Sequence, residues 1–155
     1  MRITREPALL ALSAWLILTG LIALFDIGFS GLSILMGLLA IAAGVLLLLA
    51  SWPFSRAALG RILLGLYMVA VGLMSFAGGG SSGLGVIAAV VAVAAGILLL
   101  WPGWRFFRAA LGWFLLALYL ITIGLMTLVG LSFSGIGVIV AVLAIAAGVL
   151  LLLGR

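Results

Sequence analysis

The sequence predicts an all-α integral membrane protein with six transmembrane helices, arranged as three tandem helical-hairpin repeats of 52 residues in parallel orientation, both termini cytoplasmic. Three observations carry this reading. Of 155 residues, 69% are hydrophobic and 6% charged, and the mean hydropathy is +1.67, whereas soluble domains are roughly 45–50% apolar and about 25% charged. Nine ionised side chains, seven Arg and two acids, are too few to cover a soluble domain of this size. Second, the chain divides into six apolar stretches, 8–25, 32–50, 57–77, 84–101, 109–131 and 136–153. Each is long enough to cross roughly 30 Å of hydrocarbon at about 1.5 Å per residue. Third, the same residues recur at a fixed offset of 52: Gly20, Gly72 and Gly124, then Gly44, Gly96 and Gly148.

The first span follows Arg2, Arg5 and Glu6-Pro7. Glu6 suits a helix start, where a carboxylate meets the positive end of the dipole beside a favoured Pro. Arginines before an apolar run also open a secretory signal peptide, but this run is long, lacks a small-residue cleavage site and matches two later segments. The turn after it carries Asp26, Gly28 and Gly31 and no base. The second span holds Ser33, Gly37, Ala40 and Gly44, a ladder of small residues stepping by four, three and four. It ends in an aromatic and basic link, Trp52, Phe54 and Arg56.

The third span begins with Arg61 and holds Gly65 and Gly72 at a spacing of seven; the turn at 78–83 is again free of bases. In the fourth, the ladder recurs as Gly85, Ala89, Ala92 and Gly96, followed by Trp101, Trp104, Arg105, Phe106 and Arg108. The fifth repeats the seven-residue pair as Ala117 and Gly124, and the sixth the ladder as Gly137, Ala141, Ala144 and Gly148, before Arg155. All seven Arg therefore fall on one side, which the positive-inside rule assigns to the cytoplasm. Residues 1–155 form a single transmembrane domain with repeats at about 5–56, 57–108 and 109–155. Two spans per unit give every unit the same orientation, so the repeats are parallel and predict pseudo-threefold or arc-like packing.

A Gly in the first helix, a short polar turn, and a second helix with a Gly followed by apolar residues recur in tandem, most visibly over 15–49. In this the chain resembles the HdeD-like family, small membrane proteins of the bacterial inner membrane built from repeated helix pairs and associated in some members with acid resistance. The resemblance implies a bacterial-type inner membrane location and no catalytic residues. The chain departs from the family pattern in the outer turn, where Asp26, Gly78 and Gly130 replace a Pro.

The residue inventory restricts the chemistry. No Cys, His, Lys, Asn or Gln occurs, so thiolate and imidazole catalysis, Cys/His metal sites and Lys Schiff bases are unavailable. Two carboxylates on opposite membrane faces cannot form an acid–base pair. The net charge of +5 comes from dispersed Arg without a continuous basic face, which does not suit nucleic acid.

Gly20, Gly72, Gly124, Gly44, Gly96 and Gly148 are expected to form tight helix seams, because lipid leaves close van der Waals approach as the main force between helices. Trp15, Tyr67 and Tyr119 stand at equivalent mid-membrane positions. They form a packing layer or, alternatively, a pocket for a hydrophobic ligand such as a quinone, carotenoid or lipid. Their polar tips need partners, which Thr19, Ser75, Thr122 and Thr127 supply unless these hydroxyls bond to their own helices. Arg56, Arg61, Arg105 and Arg108 set topology and are candidate contacts for anionic lipid head groups. Asp26 is a turn residue or, alternatively, an acid at an outer mouth.

The expected function is non-catalytic: an accessory or scaffold subunit, or a stress-related protein, that associates with membrane lipids, other membrane helices or a larger membrane complex and needs no cofactor. A channel or transporter for water, gas or a small solute through the repeat centre is the competing reading.

Overall fold

The computed structural model describes residues 7–26, 28, 31–52, 59–77, 82–103, 111–130 and 135–153. These form six α-helices: α1 Pro7–Phe25, α2 Leu32–Ala50, α3 Leu59–Phe76, α4 Ser82–Gly103, α5 Leu111–Val129 and α6 Ile136–Leu152. No strand occurs among the described residues. Helices α1 to α5 are long and apolar enough to cross a membrane, consistent with a multi-pass membrane protein. Helix α6 is highly apolar but has 17 residues, shorter than the sequence predicts.

Two helix ends are set by left-handed backbone. Gly130 has φ +65° and stops α5 at Val129 rather than 131, and Asp26, its counterpart after α1, has φ +50°. This conformation suits Gly, and Asp is among the few other residues that tolerate it. Helix α4 instead runs through Pro102 to Gly103, two residues beyond its predicted end.

Each helix packs on its two neighbours in chain order, and α6 packs on α1, so the helices close into a ring. The most extensive seams are α2–α3, α4–α5 and α1–α6; the two helices of a hairpin pack less extensively on each other. Small residues explain the difference. A methyl carbon built at Gly72 would stand 2.7 Å from the carbonyl oxygen of Gly37 and also collide with Ile41. At Gly124 it would stand 2.9 Å from the Ala89 oxygen, and at Gly20 2.8 Å from that of Ala141. The second set behaves alike: Gly44 faces the Gly65 oxygen at 2.7 Å, Gly96 that of Ala117 at 2.9 Å, and Gly148 that of Ser13 at 3.0 Å. Backbone lies against backbone at every such point, which is how helices adhere without a hydrophobic drive between them.

Inside the ring lies one apolar cluster containing Leu12, Leu64, Leu116, Leu16, Met68 and Leu120, all fully buried, with Ala40, Ala92 and Ala144 from the even helices. The outer surface is apolar as well: Leu38, Val90 and Val142, 52 residues apart, are 61%, 53% and 54% exposed. Ser13, Thr19, Ser51, Ser75, Thr122 and Thr127 each donate to a carbonyl three or four residues back in the chain, at 2.7–3.0 Å. Polar groups in an apolar medium must be satisfied within the protein, and these are.

Candidate functional site

The residues that shape the interior stand at matching depths on the odd helices. At the arginine end of α3, Arg61 lies over the ring of Trp113 on α5, 5.2 Å from its centroid. One turn further in come Leu12, Leu64 and Leu116, each without exposed surface. Next is the aromatic layer, Trp15, Tyr67 and Tyr119, which are 5%, 5% and 1% exposed. Beyond it, toward the end away from Arg61, lies a cavity of about 540 Å³ lined by Tyr67, Val71, Met74 and Ser75 of α3, Ala88 and its neighbours on α4, Ser33 of α2, and Ile123 and Thr127 of α5.

The aromatic trio is thus packed, and of the three only Tyr67 reaches the cavity wall. The hydroxyls expected to partner their polar tips do not do so: Thr19, Ser75, Thr122 and Thr127 all donate to their own helices. Among the described residues Tyr67 makes no hydrogen bond, yet no sealed-off side-chain polar atom lacks a partner. Tyr67 is also part of the cavity wall.

Sequence reasoning missed Val71, Met74, Ala88 and Ile123. The legible signal was a break in the repeat: all three equivalent positions belong to or pack on the apolar cluster, but the middle one, which also lines the cavity, is the small Ala88 where the others are Met36 and Val140. The cavity thus belongs to the middle hairpin and its flanks, not to all three hairpins equally.

The other sequence candidates lie elsewhere. Gly20, Gly72, Gly124, Gly44, Gly96 and Gly148 are all buried in the seams. Arg61 is exposed; Arg56, Arg105 and Arg108 fall outside the described residues. Asp26 is exposed in the turn after α1, at the opposite end from Arg61. Trp52 and Trp101 are 74% and 83% exposed, as interfacial aromatics would be. No group of His, Cys, Asp or Glu capable of holding a metal occurs among the described residues. Comparison of the chain with protein-family models, curated proteins and solved structures finds no match.

Proposed function

We propose that this chain is a small multi-pass protein of a bacterial-type inner membrane that acts by association and without turnover, as an accessory subunit or an HdeD-like stress-related protein. In this reading it consists of three parallel hairpin repeats, all six helices span the bilayer, and both termini lie in the cytoplasm. The recurrence of the six glycine-to-carbonyl seam contacts at an offset of 52 residues supports the repeat reading. The observation that carries the function is the contrast between interior and exterior. Seam glycines and backbone-bonded hydroxyls are engaged within the ring, while each hairpin presents a matching apolar outer face, such as Leu35, Ile87 and Ile139. Such faces are what lipids and partner helices can recognise.

The fully buried layer of Leu12, Leu64 and Leu116 supports a holding rather than a conducting interior. A photo-crosslinking amino acid at Leu38, Val90 or Val142, activated in native membranes, tests the association. A discrete protein adduct is expected from at least one hairpin. Lipid adducts alone, together with solute flux in liposomes blocked by a bulky residue at Gly72, would overturn the reading in favour of a pore.

A further inference from the structure

We propose that the cavity of the middle hairpin binds an uncharged amphiphile that places a carbonyl oxygen against the Tyr67 hydroxyl. The inference rests on the membrane reading and deepens the association reading by naming what the interior holds. Among the described residues no charged side chain lines the cavity, so an ion would lose its hydration without compensation. Ser75 and Thr127 spend their protons on the carbonyls of Val71 and Ile123, at 3.0 and 2.9 Å, and offer only lone pairs. Tyr67 is different. It is 95% buried, makes no hydrogen bond among the described residues, and is the donor deepest in the wall.

A ligand acceptor at that depth would supply the hydrogen bond the phenol lacks. Tyr67 sits nine residues before the end of α3 at Phe76, about 13 Å at the helical rise. Ser33, Gly85 and Thr127, all close to helix ends, mark the mouth. The volume falls in the range of about 300–1,000 Å³ typical of small-molecule sites and accommodates a ring or head with the start of a tail. The less extensive α3–α4 seam is where such a tail would leave toward lipid. Two sources share this chemistry: a membrane quinone and an ester-linked acyl glycerol.

The test is calorimetric titration of the full chain in nanodiscs with a short-tailed ubiquinone and, separately, dioctanoylglycerol. Binding of one probe identifies the source, and binding of both identifies the shared carbonyl as the recognised group. Tyr67→Phe is expected to weaken the bound probe about 3- to 10-fold, the loss of one hydrogen bond, without changing the unfolding midpoint. Ala88→Met, which introduces the residue found at position 36, is expected to abolish binding, and Tyr119→Phe to leave it unchanged. If neither probe binds, or if Tyr67→Phe binds as tightly as the parent, the proposal is wrong even when Ala88→Met does not fold. Crosslinking at the outer faces is read independently, so failure of this site leaves the association reading standing.

Discussion

The guanidinium of Arg61 stands over the ring of Trp113 at 5.2 Å, and these two residues occupy the same position, 52 apart, on α3 and α5. Their third counterpart, Leu9 on α1, is half-buried against the apolar cluster, as is Trp113. A cation can sit here because the aromatic face attracts it and the aliphatic stem covers apolar surface while the head group reaches the water boundary.

A double-mutant cycle of Arg61→Leu and Trp113→Leu, measured by reversible unfolding in mixed micelles, is therefore expected to give a coupling of about 0.5–1 kcal/mol. Strictly additive losses would show that the stacking contributes nothing to stability.

The seam glycines predict a graded series. Gly72→Ala, Gly124→Ala and Gly20→Ala each drive a methyl into a carbonyl oxygen and a branched side chain, and are expected to cost about 1–3 kcal/mol each by overpacking. At Gly60 the methyl meets mainly the flexible Leu99 side chain, at 3.1 Å, so the loss is smaller. Gly137 has no neighbour within 4 Å, and Gly137→Ala is expected to be neutral or stabilising, since Ala is the better helix former. Thermal unfolding in detergent orders the variants. Equal midpoints for Gly72→Ala and Gly137→Ala would contradict the seam assignment.

Much of this architecture could be read from residue spacing. Apolar length announced the helices, and the stepping of Gly37, Ala40 and Gly44 announced a close-packed face, whereas the first rung of that ladder, Ser33, Gly85 and Gly137, lies outside the tight seams. Spacing identifies a face but not the helix it meets, so the pairing of Gly20 with Ala141 and the closure of α1 on α6 emerged only in three dimensions. The cavity was less legible still. It depends on the volume difference among Met36, Ala88 and Val140, which composition and periodicity treat as equivalent apolar positions. Likewise, Arg61 read alone is a topology signal, and its contact with Trp113 requires two non-neighbouring helices to be brought within side-chain reach.

Asp26 yields a prediction opposite to the one an outer-mouth acid would give. Its φ of +50° strains a residue with a Cβ, and Gly130 fills the equivalent place on α5. Asp26→Gly is expected to be neutral or to stabilise by up to about 1 kcal/mol, whereas the β-branched Asp26→Val is expected to destabilise. A functional acid would instead show itself as loss of a cellular phenotype in a stably folded Asp26→Gly protein.

The orientation can be tested directly because the chain lacks Cys, so each introduced thiol reports alone. Gly28, Gly83 and Gly135 have open space around them and lie in or directly beside the links without a basic residue, Gly83 in the first turn of α4, while Trp52 is 74% exposed at the arginine end. Arginine resists translocation, and the retained side is the cytoplasm. Gly28→Cys, Gly83→Cys and Gly135→Cys are therefore expected to react with a membrane-impermeant maleimide on intact cells or spheroplasts, and Trp52→Cys only after permeabilisation. All three outer sites must agree, since parallel repeats place every second turn on the same face. Labelling of Gly83→Cys only after permeabilisation, with Gly28→Cys labelled from outside, would mean that the spans between them are odd in number and would refute the parallel-hairpin arrangement.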